Sequence, residues 1–234
     1  GYVFPLGMAY VSSSLKHAGF KVHTINLNHI EGNVSDIISD ALTEFDINII
    51  GTGGLSPQYH MVKHVIASAK KHDPEIITVV GGGIISADPD IAMEALEYAD
   101  YGVIGEGEAT IVEFAHCLEN ASDIFDVDGL IIKYDDSYVR TGARADIQDL
   151  DSIPWPDYDG FEIGKYLQLP PSDFAGLGAK QMVPMLGSRS CPYSCTFCFH
   201  SLGGKYRRRS LDDFFGELDW LVERYDIEFI SMAD

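Results

Sequence analysis

The chain has 234 residues, 46% of them hydrophobic, with 36 acidic against 16 basic side chains and a formal net charge of −20. A chain of this length buries one or two cores, which excludes a disordered tail or a small disulfide scaffold. The acidic excess repels phosphate backbones and anionic lipid, so neither nucleic acid nor a membrane surface is an expected partner. No run of about 18 apolar residues is present to span a bilayer. The chain opens on Gly1-Tyr2-Val3-Phe4-Pro5, without an initiator Met or a signal-peptide pattern, and closes inside the apolar run Ile230-Ser231-Met232-Ala233-Asp234. A cytoplasmic setting and a longer parent protein are expected.

Met8, Val11, Leu15 and Ala18 recur at helical spacing and Gly19 stands where a helix-stopping glycine would. A short strand is expected over 21–27, and Val34, Ile37, Ile38, Ala41, Leu42 and Phe45 then mark an amphipathic helix. The apolar run 47–50 leads into Gly51-Thr52-Gly53-Gly54-Leu55-Ser56. Met61, Val62, Val65, Ile66 and Ala69 form the next helical stripe, ended by Asp73-Pro74. The run 76–80 reads as a strand covered on both faces and empties into Gly81-Gly82-Gly83. Asp88-Pro89 is a cap and first-turn pair for a short helix through Leu96. A last strand, 101–104, leads into Gly105-Glu106-Gly107-Glu108 and a helix through Leu118.

Alternating strands and helices with short loops predict an α/β fold, a doubly wound, Rossmann-like parallel sheet whose first strand lies upstream of the chain. Ligands of such sheets sit at the carboxyl ends of the strands, where close backbone approach calls for glycine. No G-x-G-x-x-G opens a helix after a strand, which speaks against a dinucleotide. Residues 129–140 read as a hairpin turning at Asp135-Asp136. Residues 141–180, with Pro154, Pro156, Pro170 and Pro171, read as an ordered linker, because Trp155, Tyr158 and Phe161 must bury. A strand over 181–186, a helix over 211–225 and a strand over 228–232 then begin a second α/β unit. The expected domains are thus 1–140, the linker 141–180, and 181–234.

Three of the four cysteines crowd into Cys191-Pro192-Tyr193-Ser194-Cys195-Thr196-Phe197-Cys198, and Cys117 lies far upstream in a helical pattern. Secreted disulfide frameworks are not spaced this way; clustering of this kind points to metal or redox chemistry. Zinc would need a fourth ligand, for which His200 is near enough in sequence. A 4Fe-4S cluster held by three cysteines would keep one iron without a protein ligand. Both readings stand on the residues alone, and zinc would make the chain a regulatory or sensor protein without radical chemistry.

The C-x-x-x-C-x-x-C spacing, with aromatic Phe197 before its last cysteine, closely resembles the loop of the radical S-adenosylmethionine (SAM) superfamily. With the glycine-ended α/β region and the stretch Asp149-Leu150-Asp151-Ser152-Ile153-Pro154-Trp155-Pro156 in front of it, nearly the whole chain resembles the cobalamin-binding radical SAM family. The resemblance implies a 4Fe-4S cluster on Cys191, Cys195 and Cys198, with SAM chelated to the open iron and Phe197 beside the cluster and adenine. It implies that 181–234 is the truncated start of a TIM-type barrel. Cobalamin would meet Thr52, Gly53, Leu55 and Ser56, then Gly81, Gly82 and Gly83, then Gly105, Glu106 and Gly107, with the glycines contributing mainly through their backbone. Within Tyr206-Arg207-Arg208-Arg209-Ser210, Arg207 and Arg209 are candidates to meet the SAM carboxylate or an anionic substrate. The implied activity is methyl transfer to, or rearrangement of, an unreactive carbon of a small-molecule substrate, with flavodoxin or ferredoxin as electron donor. Leu27-Asn28-His29-Ile30-Glu31-Gly32 has the His and Gly of a cobalt-ligating motif but Leu27 in place of its Asp, and reads as coincidence. Glu106 and Glu108 read as a solvated helix start, and Cys117 as a buried structural thiol.

Overall fold

A computed structural model of the chain describes residues 3–135, 137–169, 182–193, 195–198 and 205–233. Asp136, Pro170, Pro171, Gln181, His200 and Asp234, which figured in the expectations above, lie outside the described residues. The chain forms two compact units, one of Glu31–Asp146 and one of Gly1–Ile30 with Ile147–Asp234. Residues 1–30 group with the C-terminal part, as does the linker stretch from Ile147 on, while residues 141–146 go with the other unit.

The reason is visible in the first helix, α1 (Leu6–His17). Its C-terminus is a complete Schellman closure: Gly19 takes φ +95, its N–H donates to Lys16, and the N–H of Phe20 donates to Leu15. Ser12 Oγ donates to Asp157 at 2.6 Å, and the Ser13 hydroxyl donates to the Trp155 carbonyl at 2.5 Å. Ahead of it, Phe4 stacks on Tyr158 at 5.6 Å and meets Tyr166 edge-on at 5.8 Å. Of the linker aromatics, Tyr158 and Phe161 thus bury as expected and Trp155 is half-buried, and the N-terminal residues are what they pack against. The strand expected over 21–27 does not form. This segment has no ladder partner and is instead held by side chains, with Thr24 Oγ1 donating to Gly160 and Asn26 Nδ2 to Phe161.

The unit of Glu31–Asp146 carries α2 (Val34–Phe45), β1 (Ile49–Gly53), α3 (Tyr59–His72), β2 (Ile77–Gly81), α4 (Gly83–Ala87), α5 (Pro89–Ala95), β3 (Tyr101–Val103), α6 (Gly107–Glu119), β4 (Leu130–Tyr134) and β5 (Ser137–Arg140). Asp88 caps α5 by accepting from the Ile91 N–H, as its Asp-Pro pair predicts. The sheet runs β1-β2-β3-β4-β5, with β1, β2 and β3 parallel, β4 antiparallel to β3, and β5 antiparallel to β4. It is a mixed α/β sheet. Among the described strands the order does not reverse, so the doubly wound arrangement is not seen. Val62, Ile66, Val80, Ile85, Met93 and Leu96 fill one core of this unit, each buried side chain contributing about 1.5–3 kcal/mol. Met61, assigned to the buried stripe of α3, instead faces solvent.

In the other unit, a short helix α7 (Ile163–Gln168) follows the linker. Then β6 (Val183–Leu186), α8 (Leu211–Tyr225) and β9 (Ile230–Ala233) make one βαβ step, with β6 and β9 parallel. Among the described residues this unit shows one βαβ step, and a barrel is not seen. Between β6 and α8, a two-residue antiparallel ladder pairs β7 (Ser188–Arg189) with β8 (Arg207–Arg208). The cysteine segment is the loop that this ladder closes.

Candidate cofactor sites

The sheet edge comes first. Because β1, β2 and β3 are parallel neighbours, their carboxyl ends deliver the turns after Gly53, Gly81 and Val103 side by side. Thr52, Gly53, Leu55, Ser56, Gly81 to Gly83, and Gly105 to Gly107 are therefore brought to one edge, as their positions in sequence predict. The first two turns pack on each other. Gly54 N–H donates to the Gly81 carbonyl at 3.3 Å, and Ile84 N–H donates to that of Gly54 at 2.9 Å. A Cβ on Gly53 would stand 2.6 Å from the Gly81 carbonyl oxygen, one on Gly82 (φ +82) 2.9 Å from that of Gly54, and one on Gly83 2.6 Å from Leu55 Cδ2. Gly53 and Gly82 are thus required by the approach of one turn to the other, whereas at Gly83 only the flexible end of Leu55 would have to move. Gly53→Ala sets a methyl against rigid backbone and is expected to destabilise the chain by about 1–3 kcal/mol, read from urea unfolding.

Gly105 differs. It takes φ +78, yet nothing lies within 4 Å of where its Cβ would stand, so its turn borders open space. Ser86, which the sequence did not single out, fixes that turn by accepting from the Gly105 N–H at 2.9 Å. Leu55 and Ser56 are exposed at the same edge. Glu106 and Glu108 are not a solvated helix start: they are only 6% and 8% exposed. Glu106 occupies the N-cap position of α6, and its side chain makes no cap hydrogen bond.

The second site is the loop between β7 and β8. Cys191, Cys195 and Cys198 are all free and exposed, and the chain turns tightly through the last two, with the Cys198 N–H donating to the Cys195 carbonyl at 3.0 Å. Phe197 is 90% exposed, a large apolar ring left uncovered on the same turn, and Tyr193 is exposed as well. Among the described residues, no three His, Cys, Asp or Glu side chains are gathered as a metal ion would need. The three thiols share one short loop without converging, and a ligand set of this kind closes as its metal binds. The donors themselves, three soft thiols without a carboxylate among them, suit an iron–sulfur cluster or zinc rather than a hard cation.

The two arginines proposed as anion ligands have other employment. Arg207 is buried and donates from Nη1 to the Ile147 carbonyl at 2.8 Å and from Nε to that of Lys205. Arg209 is buried among Asp213, Glu217 and the Leu186 carbonyl. Neither is presented to a ligand as a bare cation, because each guanidinium is committed to main-chain or carboxylate acceptors. Around Arg209 the network continues: Glu217 is fully buried and accepts from Tyr158 Oη at 2.6 Å, and Asp213 accepts from Trp155 Nε1 at 2.9 Å. Burial pushes the Tyr158 phenol well above its ordinary range, and the Glu217 carboxylate beside it adds to the shift. The sequence signal for this network was the spacing Arg209, Asp213, Glu217, which places three charges on one face in steps of four. Ser210 caps α8 by accepting from the Asp213 N–H.

His29 meets Glu162 at 3.2 Å with its side chain buried, in keeping with its reading as a loop histidine. Cys117 is buried in α6 with its thiol donating to the Ser122 carbonyl at 3.4 Å, and burial pushes the thiol pKa above its ordinary value. Among the described residues, no helix is long and apolar enough to cross a membrane.

Comparison with known proteins bears on both sites. A family model described as the B12 binding domain matches residues 1–115. Over 98% of its length the chain is 28% identical to an uncharacterized methyltransferase, PH0819, of Pyrococcus horikoshii, covering 48% of that protein. It is 26% identical, again over 98%, to the anaerobic magnesium-protoporphyrin IX monomethyl ester cyclase of Synechocystis, covering 45% of it. The chain thus spans about half the length of these relatives. Among solved structures, the radical S-adenosylmethionine methyltransferase TsrM of Kitasatospora setae, with tryptophan and a SAM analogue bound, superimposes with a TM-score of 0.76 at 17% identity, over all of this chain and 45% of that one. The cobalamin-dependent SAM radical enzyme OxsB, with aqua-cobalamin and SAM bound, gives 0.78 at 22% identity, over all of this chain and 31% of that one. At these identities the structural likeness speaks for the fold.

Proposed function

We propose, from the premise that this chain belongs to the cobalamin-binding radical SAM proteins, that it forms the cofactor-holding part of an enzyme that methylates or rearranges an unreactive carbon of a small molecule. The observation that carries this reading is the presence in one chain of two separate receptacles. One is the edge where three parallel strands deliver their glycine turns; the other is a three-thiol loop closed at its base by a ladder.

The residues fit the groups the family uses. At the sheet edge, the open space beside Gly105 and the exposed Leu55 and Ser56 would receive cobalamin, while Gly53 and Gly82 keep the first two turns close enough to form a continuous rim. On the loop, Cys191, Cys195 and Cys198 would hold a 4Fe-4S cluster and Phe197 would cover it, which gives that exposed ring a partner. When bound, these groups and SAM supply the one-electron and methyl-transfer chemistry, and the protein supplies binding, orientation and exclusion of water. An electron donor such as flavodoxin or ferredoxin would serve the cluster.

Titrating the oxygen-protected chain with cobalamin tests the first receptacle. Saturable binding near one per chain, seen as a change in the corrin absorption, is the expected result. Replacing Gly105 by Val would fill the open space and weaken that binding. A corrin spectrum unchanged at any protein concentration would leave the sheet edge without its assigned ligand.

A further inference from the structure

Where the cysteine loop leaves and re-enters the fold, one side chain ties both ends. Gly187 and Arg209 flank the β7–β8 ladder and are joined by their backbones, with the Arg209 N–H donating to the Gly187 carbonyl at 3.1 Å. The guanidinium of Arg209 then reaches back to the Leu186 carbonyl at 3.0 Å, the last residue of β6. It also reaches forward to the Asp213 carboxylate at 2.6 Å and carbonyl at 3.2 Å, in the first turn of α8. Its charge is met by Glu217 one turn further on, in a pair that is buried on both sides. Glu217 in turn accepts from Tyr158, so the linker holds the carboxylate that holds the arginine. A lysine carries its three donors on one nitrogen and cannot span acceptors set this far apart; the planar fork of arginine meets carbonyl and carboxylates together.

We infer that Arg209 is the positioning residue of the cysteine loop, fixing the separation and direction of its two ends so that Cys191, Cys195 and Cys198 can close on one cluster. This rests on the reading of the loop as a cluster site. It gives a buried ion pair, which by itself is weak support for stability, a task in the fold: a rigid base under a loop whose own thiols are exposed. Partners hydrogen-bonded to metal ligands are worth about 10–100-fold in metal affinity; Arg209 acts one step further back, through the ends of the loop, so the lower end of that range is expected.

The test separates positioning from stability. Arg209→Lys keeps the charge beside Glu217 and loses the bridge. The double variant Arg209→Met/Glu217→Gln removes the charge pair together, keeps an acceptor for Tyr158 Oη, and is expected to fold with near wild-type stability. Leu221→Ala, in the core of the same helix, lowers stability without touching the loop base. The chains are reconstituted with iron and sulfide under anaerobic conditions, and iron release to a chelator is followed well below unfolding, with the electron paramagnetic resonance signal of the reduced cluster recorded in parallel. Expected are release about tenfold faster or more from Arg209→Lys and from the double variant, with an altered signal, and wild-type release from Leu221→Ala. If both Arg209 variants release iron at the wild-type rate, or no faster than Leu221→Ala, the positioning role is wrong. If the unaltered chain takes up no iron, it is the reading of the loop that fails, and that outcome is distinct from the other.

Discussion

Replacing any one of Cys191, Cys195 or Cys198 with Ala is expected to abolish cluster assembly, whereas Cys117→Ala leaves iron and sulfide content unchanged. The three loop thiols are exposed, lie within eight residues, and have no fourth cysteine among the described residues near them in sequence. A cluster bound through three corners has no spare protein ligand, so the loss of one leaves two thiolates on a loop that has not gathered them beforehand. Cys117 differs in each physical respect that decides ligation. It is buried in α6, its thiol faces the Ser122 carbonyl, and burial disfavours the thiolate that a metal needs. Iron and acid-labile sulfide assays after anaerobic reconstitution read the result directly. Because the loop thiols make no core contact, the three loop variants should unfold at the wild-type urea midpoint. Iron lost from Cys117→Ala would overturn the ligand assignment.

Glu217→Ala is expected to destabilise the second unit by about 3–5 kcal/mol, the cost of removing one partner of a buried ion pair. Three groups depend on that carboxylate: the Arg209 guanidinium, itself buried, the Tyr158 phenol at 2.6 Å, and through Arg209 the end of β6. The methylene groups removed add a cavity beside Leu221 and Tyr158. By contrast, breaking the exposed pair of Arg140 with Asp90 should cost less than about 1 kcal/mol. Urea unfolding of the two variants, followed by far-ultraviolet circular dichroism for both units and by tryptophan fluorescence for the unit of Glu217, makes the comparison within one protein. Trp155 and Trp220 both lie in the affected unit, so their emission reports on it. Equal, small losses from Glu217→Ala and Arg140→Ala would mean that the buried network carries no stability.

Much of the fold was legible because its signals are local. Gly19 closes α1, Asp88 caps α5, the helix over 211–225 has the bounds its apolar spacing predicts, and β4 and β5 pair as a hairpin. The strand over 21–27 failed for a non-local reason. Its alternation is that of a strand, but its partners are carbonyls of the linker reached by Thr24 and Asn26, and no sequence window spans that distance. The same holds for the membership of α1, which is decided by Phe4 and the serines meeting residues some 140 positions later. At the sites, residue type announced the thiols and the glycines at once. What it did not announce is why the glycines are there. Gly53 and Gly82 serve the packing of one turn on another, whereas Gly105 borders open space. Charge in a sequence suggests a ligand, but Arg209 is buried beside Glu217 and Asp213, which meet its charge, and Arg207 is buried with its guanidinium on main-chain carbonyls.

The account turns on three sulfurs of one loop sharing a single iron–sulfur cube with one iron left for SAM. Quantifying metal and sulfide in the anaerobically reconstituted chain, then recording the spectrum of the reduced cluster with and without SAM, tests this most directly. About four iron and four sulfide per chain, with a signal that changes when SAM is added, is the result the account predicts. One zinc per chain, without iron or sulfide, would contradict it.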